Sequence, residues 1–146
     1  ACQAIARVAR RYAIIGVPYR QDIRHGRTTC MTCGRTSPPW GHVNSFDEAR
    51  LCTLFSSLQV RETRFVGTSE AGTNPVSVWL SDLARNPYGT YSQEERCVHC
   101  NAQLRGPARL SLLQRGLMKA SLGLRDVVNR GALAHGNWIH LLFERT

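Results

Sequence analysis

Two short cysteine motifs constrain this chain more than any other feature of it. They read Cys30-Met31-Thr32-Cys33-Gly34 and Cys97-Val98-His99-Cys100-Asn101. Each is a C-x-x-C, and each exits through a residue that tolerates a left-handed backbone, glycine in one case and asparagine in the other. Two thiols two residues apart can face one metal only if the chain turns tightly and lets amide groups point at the sulfurs. The residue after the second cysteine is then driven towards positive φ, where Gly and Asn cost least. Two such knuckles supply four thiolates, the ligand set of a closed tetrahedral structural Zn²⁺ site. The candidate metal ligands are therefore Cys30, Cys33, Cys97 and Cys100.

The stretch from Cys33 to Cys97 is far longer than the roughly 12–20 residues of compact zinc motifs. Disulfides, unrelated buried thiols and an iron–sulfur cluster are the competing readings. A metal can nonetheless close a long loop, because closure entropy grows only logarithmically with length. No βαβ pattern surrounds either pair, which a thioredoxin-like redox site would want. Two further residues are potential ligands. His99 lies inside the second knuckle, but the cysteines on either side are better placed. Cys52 lies beside an apolar helical stripe and reads as a small buried residue.

Hydrophobic residues make up 42% of the 146 and charged ones 20%, which places the chain among globular rather than disordered proteins. Six cysteines, four of them in knuckles, suit a reducing or metal-handling compartment rather than a secreted disulfide scaffold. The net charge is +9, and of 19 Lys and Arg only Lys119 is lysine. Such a balance calls for an anionic partner, and arginine contacts phosphate through a planar fork and stacks on bases. No apolar run approaches the ~20 residues of a membrane span.

The pattern along the chain predicts a small α+β fold with a split, zinc-ribbon-like site, a basic N-terminal arm over 1–27 and one zinc-pinned domain over 28–146. In the arm, Ile5, Val8, Tyr12 and Ile15 form a helical stripe flanked by arginines, with Asp22 the one acid. Arg-rich, acid-poor amphipathic segments of this kind also serve as mitochondrial transit peptides. Residues 45–90 read as a helical insert between the knuckles. Ser45-Phe46-Asp47-Glu48 forms a capping box before a helix to about Val60, a strand follows over 61–68, and Asn74-Pro75 opens a further helix, although Val76–Leu80 also fits a strand. Residues 97–146 carry the second knuckle and C-terminal helices, with a break near Gly123, an exit at Gly131, and a buried strand or short helix over 137–143 that includes a core Trp138.

No Ser-His-Asp order, H-E-x-x-H, Walker loop or G-x-G-x-x-G is present, and no carboxylate pair sits where catalysis would need one. The expectation is a non-enzyme without a small-molecule substrate. Its RNA-binding candidates are Arg7, Arg10, Arg11, Arg20, Arg24 and Arg27 on the arm, with Arg35, Arg96, Arg105 and Arg109 around the knuckles. His25 joins the arm as an RNA or surface contact.

Knuckles, basic arm and size together resemble the zinc-binding proteins of mitochondrial ribosomes. Over residues 96–138, Arg96-Cys97-x-x-Cys100, Arg105-Gly106, Leu124-Arg125-Asp126 and Gly131-Ala132-Leu133 before Trp138 follow the motif order of ribosomal small-subunit protein fourteen. The spacing from Arg105-Gly106 to the helix is longer here, and no Lys-rich tail follows. The resemblance implies a structural Zn²⁺ protein of the mitochondrial matrix that contacts rRNA and neighbouring ribosomal proteins. The alternatives are a zinc-stapled accessory subunit of a mitochondrial respiratory complex and a C-x-x-C thiol oxidoreductase.

Overall fold

The computed structural model describes residues 2–69 and 72–145. Its elements in chain order are α1 (Cys2–Val8), β1 (Tyr12–Pro18), β2 (Thr28–Thr29), β3 (Thr36–Ser37), α2 (Glu48–Leu54), β4 (Gln59–Ser69), α3 (Pro75–Leu83), α4 (Leu112–Asn129) and β5 (His135–Glu144), with a 3₁₀ turn at Pro39–Gly41. This is a small α+β fold with four helices and antiparallel sheets. The chain divides into two compact units. The first is drawn from residues 1–21, 45–69 and 134–146, the second from 22–44 and 70–133.

In the first unit β5 is the middle strand of a sheet ordered β1-β5-β4, both pairings antiparallel. Period-two alternation sends Ile139, Leu141 and Phe143 to one face, where Leu51, Phe55 and Leu58 of the α2 region meet them in a core with every member at most 8% exposed. Phe55 and Phe143 lie with ring centroids 5.1 Å apart. Ala13, Ile15 and Val17 of β1 share that face, opposite Phe143, Leu141 and Ile139. Burying a side chain of this size contributes roughly 1.5–3 kcal/mol.

This pairing explains why the expected arm helix is short. The stripe Ile5, Val8, Tyr12, Ile15 competes with the alternation Ala13, Ile15, Val17. Beyond Val8 the alternation wins, because it completes a sheet with β5 in a segment rich in β-formers. Residues 1–27 are therefore not an arm: 1–21 belong to the first unit and 22–27 to the second. The insert over 45–90 likewise contains the eleven-residue strand β4 as well as helices. Asp47, not Ser45, caps α2, its carboxylate accepting the Arg50 amide at 2.8 Å.

In the second unit Asn74 and Ser77 form a reciprocal capping box on α3 with Pro75 in its first turn, and Ser111 and Gln114 form another on α4. The expected break at Gly123 does not occur: α4 is continuous for 18 residues. A Cβ at Gly116 or Gly123 would meet nothing within 4 Å, so both glycines lie on an open face where their cost, about 1 kcal/mol each, is absorbed by the cap and by packing on α3. Helices α3 and α4 meet through small polar groups. Ser81 and Ser121 hydroxyls lie 2.7 Å apart, the Ser121 hydroxyl donates to the Ser77 carbonyl, and Gln114 Nε2 donates to the Ala84 carbonyl. The segment after α4 enters β5, so the C-terminal part holds one helix and one strand rather than helices. Trp138, expected in the core, is 42% exposed, because alternation along β5 sends it to the face opposite Ile139.

Among the described residues no helix is long and apolar enough to cross a membrane.

Candidate metal centre

The second unit brings the two knuckles together. Residues Thr28–Thr29 and Thr36–Ser37 pair as a hairpin with Cys30 to Cys33 at its tip. The backbone then repeats itself. Gly34 N–H donates to Cys30 C=O at 2.8 Å and Asn101 N–H to Cys97 C=O at 2.8 Å. Cys30 N–H donates to Arg35 C=O at 2.9 Å, and Cys97 N–H to Ala102 C=O at 2.9 Å. Gly34 has φ +71° and Asn101 φ +58°, the left-handed exits that the tight turns demand.

The four sulfurs all lie within 4.8 Å of one another. Cys30 Sγ is 3.7 Å from Cys100 Sγ, and Cys33 Sγ is 3.7 Å from Cys97 Sγ. A metal with thiolate bonds of about 2.3 Å in tetrahedral geometry sets its sulfurs about 3.8 Å apart. A disulfide would need about 2.05 Å, and all six cysteines are free. A cluster of several irons would hold its ligand sulfurs further apart than one ion does. The four cysteines thus form a set that can hold a single metal ion. Cys30 and Cys97 are buried, while Cys33 and Cys100 face outward.

Amide and hydroxyl donors prepare the sulfurs for charge. The Cys33 amide favours the Cys30 thiolate; burial opposes it, and the Thr32 amide and the sulfurs of Cys100 and Cys33 add to the lowering, so the net direction is down. Burial opposes ionisation of Cys97 as well. There the Ser37 hydroxyl, at 3.5 Å, and the amides of His99 and Cys100 outweigh it and bring the thiol to about 6. Cys100 goes the other way. The Ala102 amide favours its thiolate, but burial and the three other sulfurs push it up to about 12. Without a cation, four thiolates cannot share this space; bound to a cation, a thiol is deprotonated outright.

How the chain closes so long a gap is visible in the segment before the second knuckle. Thr90 N–H donates to Gly26 C=O at 2.9 Å, and Asn86 Nδ2 donates to Thr29 Oγ1 at 3.1 Å. The Tyr91 hydroxyl accepts the Thr29 amide at 3.1 Å, and Tyr91 packs with Leu104 against Cys30 and Cys97. A Cβ on Gly89 would stand 2.1 Å from the Arg27 carbonyl oxygen, so only glycine permits this approach. His99 is not a fifth ligand. Its Nε2 donates to the Thr36 carbonyl at 3.0 Å and so ties the second knuckle to β3. Cys52 is exposed on α2 and lies outside the cluster. Sequence reasoning missed Ser37, Gly89 and Tyr91. Of these only Gly89, in Asn86-Pro87-Tyr88-Gly89, carried a local signal, that of a turn.

The ten candidate arginines fall in both units. Arg7, Arg10, Arg11 and Arg20 are exposed in the first, where Arg11 pairs with Glu144 at 3.4 Å and Arg20 lies over the Tyr19 ring at 5.1 Å. In the second unit Arg24 pairs with Asp22 and Arg27 with Asp82. Arg35, Arg96, Arg105 and Arg109 are exposed near the knuckles in sequence, Arg96 donating to the Asn101 carbonyl at 3.3 Å. Comparison with protein-family models, curated proteins and solved structures finds no match to this chain.

Proposed function

We propose that this chain is a non-catalytic, zinc-holding component of a ribonucleoprotein, with the mitochondrial ribosome as the favoured assembly. The observation that carries the reading is the gathering of the Cys30, Cys33, Cys97 and Cys100 sulfurs within 4.8 Å of one another, supported by the two matched knuckle backbones. Zn²⁺ fits this donor set better than a redox metal does, because it needs only four thiolates and a closed shell and is redox-inert. When bound, zinc supplies a cross-link and cancels the mutual repulsion of the thiolates. The chain's own residues do the rest. The amides and Ser37 hold the sulfurs, Tyr91 and Leu104 exclude water from the buried pair, and exposed arginines meet phosphate. RNA contact through arginine positions the protein by charge and shape, so affinity should fall steeply with salt.

One observation favours a second reading, a subunit of a protein-only assembly such as a respiratory complex. Val76, Trp79 and Leu83 sit on one stripe of α3, all more than half exposed, and Leu112, Leu113 and Val127 of α4 are likewise open. Apolar side chains left in water at helical spacing suit burial by a protein neighbour. A sucrose gradient of native extract with and without ribonuclease, assayed for zinc, separates the two. Co-migration with a ribosomal particle that ribonuclease abolishes, at one zinc per chain, is expected. Ribonuclease-resistant migration with a membrane complex would move the assignment to the second reading, and absence of zinc would remove both.

A further inference from the structure

The second unit contains a cavity of about 210 Å³, separate in its chemistry from the cysteine cluster. Its floor is the α3–α4 contact, where Ser77, Ser81 and Ser121 stand in place of large side chains and so leave space. The volume is below the range of drug-sized pockets, so a ligand of nucleotide size enters only in part, with the remainder at the rim.

Its cations are unequally matched. Arg24 is held by Asp22 at 2.9 and 3.1 Å, and Arg27 by Asp82 at 2.5 Å. Arg125 instead donates to His25 Nε2 at 2.7 Å, and its ion-pair partner Asp126 is 3.9 Å away with a side chain 64% exposed. A guanidinium has donors only, so Nε2 of His25 is the acceptor and Nδ1 carries the proton. Burial first, and then the Arg125 charge, lower the His25 pKa against a smaller upward pull from Asp22, which favours that neutral form. The pair therefore offers several N–H groups and lacks a carboxylate at bonding distance. Arg27, which also lines the cavity, keeps a buried Nε without a partner. Cationic and N–H donors gathered in a concave site whose lining carries no carboxylate suit an anion.

Two exposed rings border the same cavity. Tyr88 is 60% exposed and Trp40 49%. Trp40 adopts φ +50° and ψ 28°, a costly backbone for an aromatic residue, and its amide is held there by Gln93 Oε1 at 2.5 Å. The fold thus holds a large, half-exposed ring at the edge of the cavity.

We propose that this cavity is a nucleotide site, with a phosphate on Arg125 and His25 and the base against Tyr88 or Trp40. The nucleotide can be an unstacked one within single-stranded RNA or a free one; the RNA source rests on the proposed function, whereas the pocket chemistry does not. Base-on-aromatic stacking and arginine contact to phosphate are both sequence-tolerant, so no base is singled out.

The test titrates the zinc-loaded full chain with uridine 5′-monophosphate, uridine, inorganic phosphate and a single-stranded hexauridylate. The monophosphate and the hexamer are expected to bind, with uridine and phosphate each at least about tenfold weaker than the monophosphate. Arg125→Gln and Tyr88→Ala should each weaken both ligands about tenfold, against less than twofold for Lys119→Gln, a charge control outside the cavity. Tyr88 is exposed, so its variant decides the matter even if Arg125→Gln fails to fold or load zinc. Hexamer binding that Arg125→Gln and Tyr88→Ala reduce no more than the control keeps the RNA reading and overturns the pocket. Monophosphate binding through these residues without hexamer binding keeps the pocket and overturns its RNA source. Phosphate binding as tightly as the monophosphate overturns the base subsite, and no binding of any probe overturns both.

Discussion

The two units of this molecule are held together by different physics. The first has a core of Leu51, Phe55, Leu58, Ile139, Leu141 and Phe143, all aliphatic or aromatic. The second buries Thr28, Thr29, Ser37, Ser77, Asn86, Gln93 and Ser121, and all of the buried polar residues among the described ones belong to it. Its hydrophobic cluster is small: Cys30, Cys97 and Leu104, with Tyr91 and Ala102 at its edge. Buried polar groups that find partners, as Asn86 and Ser121 do, add only about 1 kcal/mol each, whereas apolar burial drives folding directly. One unit can therefore stand on its core, and the other needs a cross-link. The lesson is that the long segment between the knuckles is no slack spacer around a metal site: residues 45–69 of it belong to the first unit and 70–96 to the unit that holds the cysteines.

The largest expected effect comes from removing the metal. Thiolate binding of structural zinc contributes on the order of 10 kcal/mol to folding. A chelator, or Cys97→Ser, should abolish hydrogen-exchange protection over residues 28–37 and 97–102 while the amides of β5 stay protected. Simultaneous loss in β5 would mean that both units lean on the metal, and unchanged protection at the knuckles would mean that neither does. The reciprocal change is next in size. Phe143→Ala removes a fully buried ring that touches Phe55, and should cost about 3–5 kcal/mol of the first unit's stability. Zinc stoichiometry, measured on the same sample, should remain one per chain. If zinc is lost with the core, the units are not independent.

How much of this was written legibly in the sequence depended on whether the signal was local. The knuckles were legible, because C-x-x-C with a Gly or Asn exit is a statement about one turn, and the structure gives both exits positive φ. The Asn74-Pro75 start of α3 was legible for the same reason. The first unit was not. Its three segments are far apart in the chain, and Ile15 fits both a helical stripe and an alternating strand; only pairing with Leu141 decides between them. Trp138 and the cap of α2 failed in the same way, since the face a strand residue takes and the residue that caps a helix are settled by tertiary neighbours. Ser37 had no signal at all: a serine that donates to Cys97 across a separation of 60 residues looks like any other serine.

The smallest effect tests the symmetry of the knuckles themselves. Gly34 and Asn101 occupy equivalent positions at φ +71° and +58°, so they should differ only in what each side chain costs there. A Cβ at Gly34 would meet nothing within 4 Å, which leaves conformation as the sole penalty for Gly34→Ala. That penalty is about 1–2 kcal/mol, and it should appear as roughly tenfold weaker zinc in competition with a chromophoric chelator, since 1.4 kcal/mol is a factor of ten. Asn101→Gly removes a side chain that already tolerates the left-handed region, at the expense of a looser unfolded chain, and should shift the same constant by less than about threefold. Equal zinc affinity for Gly34→Ala and the parent would show that the exits are not strained by the ligand geometry. A loss for Asn101→Gly as large as that for Gly34→Ala would show that the asparagine side chain, rather than its backbone tolerance, holds the second knuckle.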